Sequence, residues 1–414
     1  MNCSVKPFFA NGVLTAVPSK SHAHRLLIMS AFSKGKTIIY NVGSSEDVYA
    51  TANCLNSLGA KVEIEDGNAT VVGAENIPNI ALLDCGESGS TLRFLMPVCS
   101  ALGVTVTFTG RGKLLTRPND KLIEVLTSHG VSVNGFTHSG VLRGGNFDID
   151  ASVSSQYVTG LILASVLTGE DCKIKLMNGA VSKSYINITL KAVKSFGIEY
   201  TVENDVIEIK GGQKFTSPKF ITAEGDWSSA AFPLVLGAIN GKVTVKGLFY
   251  NSEQGDKVII DLLKRAGVKL RESENSFTAE KSQIKAVEFD AKDCPDTVPI
   301  VSTLLAFAKG TSTIKNVERL KIKESNRLEA IIDNLKRAGI SAKTDGKNLY
   351  IQGGEPKSNE FLGYNDHRIV MSAVVLAIGA SGSSTVTNSS AVKKSYPEFF
   401  NDINKLGGED YVRF

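Results

Sequence analysis

The feature that most constrains the fold is an internal repeat, in which a helix-like stretch, a glycine and a short strand-like run occur together six times. The glycines recur at intervals of 67 to 72 residues, at Gly59, Gly130, Gly197, Gly267, Gly339 and Gly407. A fixed period indicates one supersecondary unit that stacks on copies of itself. Glycine after an amphipathic stretch is typical of a helix C-terminus, where a left-handed residue turns the chain into a strand. We therefore expect each of these glycines to end a helix.

Each repeat also contains a second helix-like segment that is apolar on nearly all sides, as in GSTLRFLMPVCSALG and DHRIVMSAVVLAIGASG. Helices of this kind are buried, and the β-branched runs that follow them predict strands. Each unit thus contains about two helices and three or four strands, and six units divide into two domains of three. The stretch at 216–227, TSPKFITAEGDW, is the predicted crossing between the halves. The two chain termini are expected to complete one domain.

Composition limits the class of protein. The chain has 414 residues, 42% of them hydrophobic and 21% charged, and a net charge of +4. These values are typical of a globular protein with more than one core, and so weak a charge does not predict a nucleic-acid partner. The six cysteines show no ligand spacing, so we expect structural thiols and no metal site. Because we find no signal region and no apolar run of membrane length, the expected location is the cytoplasm, without a membrane partner.

The buried helices begin with polar and charged residues. Ser, Thr and Asp at such positions accept hydrogen bonds from free backbone N–H groups. Capping is the preferred interpretation for Asp226, Ser228 and Ser229. Asp366 is expected to be a cap or an orienting partner. Capping does not explain Lys20, His367 and Arg368, which place cations at the positive end of a helix dipole. Helix N-termini that converge are typical phosphate sites, so these cations favour an anionic ligand.

Three predicted loops add further cations. They are TGRGKLLTRPND at 109–120, ERLKIKESNRLEA at 318–330 and AVKKSYPEFF at 391–400. Taken singly, each is explained by a solvated charged surface. Their recurrence beside the same helix starts favours a ligand that carries more than one negative group.

Nine motifs, in this order, resemble those of the 5-enolpyruvylshikimate-3-phosphate synthase family. They are PSKSHAHRLLI, GESGSTLRFL, GRGKLLTRP, SSQYVTGLIL, SKSYINITL, DCPDTVPI, KIKESNRL, NDHRIVMS and KKSYPEFF, and they span essentially the whole chain. The resemblance implies the two-domain enolpyruvyl-transferase fold, an inside-out α/β barrel of mixed α and β class. It has six βαβαββ-type repeats, three per domain, with buried helices and outer sheets.

The resemblance also implies domain boundaries and an activity. Residues 1–17 with 222–414 would form the phosphoenolpyruvate-side domain and 18–221 the shikimate 3-phosphate-side domain, with hinges near 16–20 and 219–226. The implied enzyme, a monomer of aromatic amino acid biosynthesis, transfers the enolpyruvyl group of phosphoenolpyruvate to the 5-hydroxyl of shikimate 3-phosphate and releases phosphate. It uses neither a metal nor an organic cofactor.

The resemblance assigns residues to each substrate. Shikimate 3-phosphate would be bound by Lys20, Ser21, Arg25, Ser154, Ser155, Gln156, Ser182, Tyr185, Asp296 and Lys323. Phosphoenolpyruvate would be bound by Lys20, Gly89, Arg117, Gln156, Arg327, Arg368 and Lys394. Arg319 and His367 are further possible site residues that are not assigned to either substrate. Two phosphates and two carboxylates on the substrates account for the excess of Lys and Arg in these motifs.

Three residues are implied to be catalytic. The reaction removes a proton from the attacking hydroxyl, delivers one to the enolpyruvyl methylene, and passes through a tetrahedral intermediate that loses phosphate. Asp296 is assigned to the hydroxyl proton, Glu324 to the methylene proton and Lys20 to phosphate departure, with the division among them open. Neighbouring cations tune such groups. His367 is either a hydrogen-bond partner of Glu324 or a helix-start histidine satisfied by backbone.

Two positions depart from the pattern of the family. Many members carry Asn at the position of Glu87 and Asp at the position of Asn326. Glu87 adds a carboxylate near the expected phosphoenolpyruvate site, so we place it outside that site. Asn326 removes only an outer charge partner of Arg327. Gly89 is retained, which leaves the pocket roomy and implies inhibition by glyphosate.

Two other functions compete with this interpretation. The UDP-N-acetylglucosamine enolpyruvyl transferases share the fold and the phosphoenolpyruvate chemistry, but they usually have a reactive Cys in the loop that corresponds to 109–118, which has none here. The SSQ and SKSY motifs also favour shikimate 3-phosphate. A non-catalytic repeat scaffold that binds anions would gain nothing from Asp296 and Glu324, because carboxylates repel such a ligand.

Overall fold

A computed structural model of the chain describes residues 1–179, 183–407 and 411–413. The α-helices in this part of the chain are α1 (Lys20–Ala31), α2 (Glu46–Ser57), α3 (Gly89–Ala101), α4 (Asp120–Ser128), α5 (Ser155–Thr168), α6 (Lys183–Ser195), α7 (Trp227–Asn240), α8 (Ile259–Arg265), α9 (Val298–Ala306), α10 (Arg327–Arg337), α11 (His367–Gly379) and α12 (Phe399–Gly407).

The strands of the first half of the chain are β1 (Cys3–Val5), β2 (Ala10–Thr15), β3 (Lys36–Tyr40), β4 (Lys61–Glu65), β5 (Asn68–Val72), β6 (Ile80–Asp84), β7 (Thr105–Thr109), β8 (Val131–Asn134), β9 (Thr137–Gly140), β10 (Gly145–Asp150), β11 (Cys172–Met177), β12 (Thr201–Glu203) and β13 (Val206–Ile209). Those of the second half are β14 (Phe220–Thr222), β15 (Gly241–Lys246), β16 (Lys269–Ser273), β17 (Ser276–Glu280), β18 (Glu288–Asp290), β19 (Thr311–Lys315), β20 (Ser341–Thr344), β21 (Asn348–Gln352), β22 (Glu360–Phe361), β23 (Ser384–Val386) and β24 (Val412–Arg413).

The chain forms two compact units. Unit 1 consists of Met1–Val17 and Glu224–Phe414, and unit 2 consists of Pro18–Ala223. Each unit contains its own hydrophobic core. Across the described residues none of the helices has the length and apolar character needed to cross a membrane.

Each unit contains three four-stranded sheets with one repeated topology. In the sheet β6-β7-β9-β8, for example, β6 pairs in parallel with β7 across the buried helix α3, with Ile80 opposite Thr105. Strand β7 then pairs antiparallel with β9, and β9 with β8 in a hairpin. A parallel pair requires a crossover connection, and here the helix that is apolar all round supplies it. In this sheet and in β10-β11-β13-β12 and β18-β19-β21-β20, the period in the sequence corresponds to one helix-crossed parallel pair followed by a hairpin.

Segments distant in sequence complete three of the sheets. In unit 1, β1 pairs with both β23 and β24, and β2 pairs in parallel with β15. In unit 2, β14 pairs in parallel with β3. The N-terminal 15 residues thus contribute strands to two sheets of unit 1 before the chain enters unit 2.

The glycines that follow the amphipathic helices behave as expected at five of six positions. Gly59, Gly130, Gly197, Gly267 and Gly339 have φ between +76° and +95°, the left-handed region that glycine tolerates best. The predicted left-handed conformation is wrong for Gly407, whose φ lies outside the positive range of the other five. A Cβ there would lie 2.6 Å from the Tyr411 ring and 3.0 Å from the Phe8 ring, so close ring packing is what requires glycine at this position.

Side-chain caps begin five of the six buried helices. Ser19, Ser88, Ser154, Asp226 and Asp366 each accept a hydrogen bond from a backbone N–H in the first turn. Of the three residues expected to cap α7, Asp226 alone does so, because Ser228 accepts a hydrogen bond from Arg368 instead. The sixth helix, α9, follows a short 3₁₀ turn (Pro295–Thr297) and has no side-chain cap.

Candidate active site

A buried arginine organises the candidate site of unit 1. Arg327 opens α10, and its guanidinium, only 1% exposed, contacts three carboxylates. Its Nε donates to Asp366 Oδ2 at 2.8 Å, Nη1 to Asp296 Oδ1 at 2.8 Å, and Nη2 to Glu324 Oε2 at 2.6 Å. These bonds use all three nitrogens of the planar guanidinium, whose N–H groups favour carboxylate partners. The two predicted catalytic carboxylates, Asp296 and Glu324, are therefore held by one side chain.

Asp296 is surrounded by further cations. Lys323 Nζ lies 3.2 Å from its Oδ1, and Arg368 Nη2 lies 3.3 Å from its Oδ2. Burial acts to raise the pKa of Asp296, but Lys323, Arg368 and Arg327 outweigh it and hold that pKa well below its usual range. Burial, with the nearby charges of Arg319 and Arg327, lowers the pKa of Lys323 although Asp296 opposes this. Asp296 is thus a stable anion within a cationic environment.

Asp366 explains why cations are tolerated at the start of α11. Its Oδ1 caps the helix by accepting from Arg368 N at 2.9 Å, and its Oδ2 also accepts from Ser325 Oγ at 3.0 Å. Asp366 is therefore both a cap and an orienting partner. Because Asp366 and Asp296 pair with Arg327 and Arg368, the protein itself supplies part of the negative charge that the sequence predicts for a ligand. His367 is buried, with Nδ1 3.9 Å from Asp366 Oδ1.

The remaining predicted residues of unit 1 lie beside this cluster. Lys394 Nζ donates to the carbonyl of Asn365, 3.1 Å away, immediately before Asp366. Arg319 belongs to the 3₁₀ turn Glu318–Ile322 that precedes Lys323, and it lowers the pKa of that lysine. Asn326 caps α10 by accepting from Glu329 N at 3.4 Å. The structure thus groups every predicted residue of unit 1 around the start of α9, α10 or α11.

In unit 2, Lys20 and Ser21 form the first turn of α1. Lys20 Nζ pairs with Asp47 Oδ2 at 2.6 Å, and both side chains are partly exposed. Ser21 contributes its carbonyl oxygen, which accepts from Arg25 Nη1. The pair with Asp47 was not foreseen from the sequence, because the two residues lie on different helices.

Arg25 is buried among neutral oxygens. Its Nε donates to Thr189 at 2.8 Å, and its Nη2 donates to Thr159 and to the carbonyl of Tyr185 at 3.0 Å. The cation also lies 5.0 Å from the centre of the Phe94 ring. Burial lowers the pKa of Arg25 to about 9. No carboxylate contacts it among the residues that the structure describes, so an anionic ligand would stabilise its charge.

Gln156 is fixed by a second buried arginine. Arg93 Nη1 donates to Gln156 Oε1 at 2.7 Å, and Gln156 Nε2 donates to Ser90 Oγ at 3.0 Å. Arg93 itself is held by Asn119 Oδ1 at 2.9 Å. The sequence offers one signal for Arg93, a cation inside an otherwise apolar helix, but its role was missed.

The two serines beside Gln156 are buried at the start of α5. Ser154 caps the helix by accepting from Gln156 N at 3.3 Å, and Ser155 is its first residue. Tyr185 lies on α6 and contributes its carbonyl to Arg25. Ser182 lies outside the described residues.

Gly89 and Arg117 are in contact. Gly89 is the first residue of α3, and a Cβ added to it would lie 2.7 Å from Arg117 Nη1. Glycine therefore permits the guanidinium to approach the helix N-terminus. Glu87 lies close to Gly112, five residues before Arg117. A Cβ added to Gly112 would be 2.9 Å from Glu87 Cδ. The structure thus places Glu87 beside residues 110–117.

A chain of buried hydroxyl groups links the starts of α1 and α3. His24 Nδ1 contacts Thr51 Oγ1 at 2.7 Å, Thr51 contacts Thr91 Oγ1 at 2.6 Å, and Thr91 donates to Ser88 Oγ at 2.7 Å. Because Thr91 donates to Ser88, Thr51 donates to Thr91, and Nδ1 of His24 carries the hydrogen. Burial, Lys20 and Arg25 lower the pKa of His24 well below its usual value. The local sequence does not predict this contact, because Thr51 lies 27 positions from His24.

None of the described residues forms a cluster of three or more His, Cys, Asp or Glu side chains suited to a metal ion. The candidate site contains carboxylates, cations and the N–H groups of helix starts. Such a set binds phosphate and carboxylate anions and moves protons.

Comparisons with known proteins identify the family. The family model described as EPSP synthase (3-phosphoshikimate 1-carboxyvinyltransferase) matches residues 8–403. A 3-phosphoshikimate 1-carboxyvinyltransferase of Clostridium novyi is 36% identical over 427 residues, which cover 98% of both chains. That of Clostridium kluyveri is 37% identical over 419 residues, which cover 98% of this chain and 97% of the relative. The solved EPSP synthase of Acinetobacter baumannii, 23% identical, matches with a TM-score of 0.84 over 100% of this chain and 99% of that one.

These matches bear on two predictions from the sequence. The structural match confirms the two-domain enolpyruvyl-transferase fold of mixed α and β class. The family model and the relatives confirm the resemblance read from the nine motifs and do not favour a UDP-N-acetylglucosamine enolpyruvyl transferase. The chain belongs to the EPSP synthase (3-phosphoshikimate 1-carboxyvinyltransferase) family.

Proposed function

We propose that the chain transfers the enolpyruvyl group of phosphoenolpyruvate to the 5-hydroxyl of shikimate 3-phosphate, the step of the shikimate pathway that its family catalyses. The products are 5-enolpyruvylshikimate 3-phosphate and inorganic phosphate. The observation that carries the proposal is the cluster in which Arg327 holds Asp296 and Glu324 beside Lys323 and Arg368. A proton-handling carboxylate pair surrounded by cations suits a reaction between two anionic substrates.

We assign the residues of unit 2 chiefly to shikimate 3-phosphate. Its phosphate is assigned to Ser154, Ser155 and Ser182, and its carboxylate and hydroxyls to Ser21, Arg25 and Gln156, with Tyr185 beside them. The buried charge of Arg25, which only neutral oxygens contact among the described residues, supports an anion here. The start of α5 supports phosphate binding, because the first N–H groups of a helix and its dipole favour an anion.

We assign phosphoenolpyruvate chiefly to cationic side chains. They are Lys20, Arg117, Arg327, Arg368 and Lys394, together with Gly89 and Gln156. Arg319 and His367 remain possible site residues without assignment to either substrate. The contact of Gly89 with Arg117 supports the assignment, because it sets a guanidinium beside free N–H groups of α3. On this assignment unit 1 is the phosphoenolpyruvate-side domain and unit 2 the shikimate 3-phosphate-side domain.

The proposed mechanism is addition followed by elimination. The oxygen of the 5-hydroxyl bonds to C2 of phosphoenolpyruvate as Asp296 takes the hydroxyl proton, and Glu324 delivers a proton to the C3 methylene. The tetrahedral intermediate then loses phosphate, assisted by the Lys20 cation, while a proton returns from C3 to Glu324 and the double bond re-forms. Asp296 and Lys323 bind the ring hydroxyls, which orients the nucleophile.

A phosphate-release assay tests the proposal. We expect release when phosphoenolpyruvate is combined with shikimate 3-phosphate. Phosphoenolpyruvate with unphosphorylated shikimate is the matched control for the phosphate contacts, and it should react far more slowly. Release only with UDP-N-acetylglucosamine would contradict the proposal, and release with neither acceptor would favour a non-catalytic anion binder. We further propose that the enzyme is a cytoplasmic monomer without a cofactor, which sedimentation analysis and cell fractionation would test.

A further inference from the structure

A buried aspartate that the proposed mechanism does not use lies next to the candidate site of unit 1. Asp256 is 4% exposed and belongs to the 3₁₀ turn Gly255–Val258. Its neighbour Gln254 fixes this turn to the start of α7, because Oε1 accepts from Trp227 N at 3.1 Å and Nε2 donates to the Gly225 carbonyl at 2.8 Å. The carboxyl is therefore held at the first turn of α7, which contains Ser228.

Charged groups from several elements act on this carboxyl. Burial is the largest influence and raises the pKa of Asp256 to about 6. Arg368 of α11 and the hydroxyl of Ser228 oppose the rise, whereas Asp296, before α9, and Asp226, the cap of α7, add to it. Asp256 in turn raises the pKa of the buried Cys294 thiol. Asp256 Oδ1 has no hydrogen-bond partner among the described residues, which is costly for a buried oxygen.

Arg368 connects Asp256 to the candidate site. Its Nη1 donates to Ser228 Oγ and, at 3.1 Å, to the carbonyl of Asp296, while its Nη2 lies 3.3 Å from Asp296 Oδ2. Two of these three contacts are with Asp296, one with its backbone carbonyl and one with its side chain, and the third is with Ser228. In the proposed mechanism Asp296 gains a proton, and its attraction for Arg368 then falls. The contact with Ser228, like that with the backbone carbonyl of Asp296, does not depend on the charge of the Asp296 side chain.

We propose that Asp256 is a positioning residue that keeps Arg368 in place for phosphoenolpyruvate, acting through Ser228. This inference rests on the proposed function, since it assigns Arg368 to that substrate. The ionised carboxyl orients the Ser228 hydroxyl as an acceptor for Arg368 Nη1 and adds a second negative charge near the guanidinium. Asp256 itself does not touch the substrate.

The test compares Asp256→Asn with Asp261→Asn, which removes an exposed carboxyl from the neighbouring helix α8. Kinetic constants for both substrates are measured between pH 5 and pH 8. We expect Asp256→Asn to raise KM for phosphoenolpyruvate about tenfold at pH 8, in line with loss of one hydrogen bond to a charged group, and to change KM for shikimate 3-phosphate less than about twofold. Asp261→Asn should match the wild type.

The pH profile separates positioning from packing. Asp256 loses its charge as the pH falls through about 6, so the ratio of the two KM values for phosphoenolpyruvate, variant over wild type, should fall towards one. Taking this ratio cancels the titration of the substrate phosphate itself, whose second pKa is near 6. Asp256→Asn also removes a buried charge, so its thermal midpoint at pH 8 should equal or exceed that of the wild type.

Several results would overturn the proposal. They are an unchanged KM for phosphoenolpyruvate, a parallel rise in both KM values, and a ratio that stays constant with pH. If Asp256→Asn fails to fold, Ser228→Ala replaces it, and the same selective rise is required. A wild type that releases no phosphate, or an Arg368→Lys variant with unchanged KM for phosphoenolpyruvate, would instead refute the proposed function.

Discussion

Replacement of Asp366 by Asn tests whether the carboxylates around Arg327 stabilise unit 1. Asp366 Oδ2 accepts from Arg327 Nε at 2.8 Å, and the two side chains are 0% and 1% exposed. Asparagine keeps the shape and one acceptor oxygen, so it retains either the cap of α11 or the contact with Arg327. Its NH₂ group would face donors of Arg327 or Ser325, and the buried guanidinium would lose one of its three carboxylate partners.

The expected cost follows from burial. Removing one partner of a buried ion pair destabilises by about 3–5 kcal/mol. We expect the lower end of this range, because Asp296 and Glu324 still contact the Arg327 guanidinium. Asp333 provides a matched control in the same unit: its Oδ2 lies at the same 2.8 Å from Arg337 Nε, but the side chains are 37% and 33% exposed. Exposed pairs of this kind contribute about 0–1 kcal/mol. We therefore expect Asp366→Asn to cost at least about 2 kcal/mol more than Asp333→Asn.

Urea unfolding measures the difference. The chain contains a single tryptophan, Trp227, which is buried in α7 of unit 1. Its fluorescence therefore reports the unfolding of the unit that contains both substitutions. The slope of the transition should be the same for the three proteins, so that the midpoints give the free energies directly. Equal losses for the two variants, or a loss below about 1 kcal/mol for Asp366→Asn, would refute the argument from burial.

Three further predictions concern turnover, binding and pH. Gly89→Ala places a methyl group 2.7 Å from Arg117 Nη1, so KM for phosphoenolpyruvate and the inhibition constant of glyphosate should both rise by about tenfold or more in steady-state assays; unchanged values would mean that Arg117 binds neither. Asp296→Asn should abolish turnover yet still bind shikimate 3-phosphate in calorimetry, and near-normal turnover would remove Asp296 from its role. Arg327 lowers the pKa of Asp366 against the effect of burial, so this carboxylate stabilises the fold above its usual pKa of about 4 and loses that effect as the pH falls further. Acid unfolding of Asp366→Asn should lack this component, and identical acid profiles would contradict it.

The architecture could be predicted from the sequence because it repeats. Helix ends depend on local backbone chemistry, and a glycine after an amphipathic stretch marks them without knowledge of the rest of the fold. The exception shows the limit of local signals. At Gly407 the constraint comes from the rings of Tyr411 and Phe8, and Phe8 lies almost 400 residues away in sequence. Nothing in the local pattern separates that case from the other five.

The candidate site likewise combines contacts that the local sequence predicts with contacts that only the packing of distant helices creates. Lys323, Glu324 and Arg327 occur in one short motif, so their proximity follows from the sequence. Three of the hydrogen-bond partners of Arg25 lie 134 to 164 positions away, and Asp47 lies 27 positions from Lys20. Such pairings arise only when helices of different repeats pack together. Asp256 was missed for the same reason, because a lone Asp in a loop looks like any solvated residue until the fold buries it.

The environment of Asp296 links substrate binding to chemistry. Lys323, Arg368 and Arg327 hold its pKa well below the usual range, which makes it a poor proton acceptor in the free protein. A bound phosphoenolpyruvate would offset the charge of Arg327 and Arg368, and a shikimate hydroxyl on Lys323 would weaken the ion pair that this lysine forms. Each change raises the pKa of Asp296 towards the value that a general base requires. On the proposed function, the cations that bind the substrates are therefore also the groups that keep Asp296 inactive until both substrates are present.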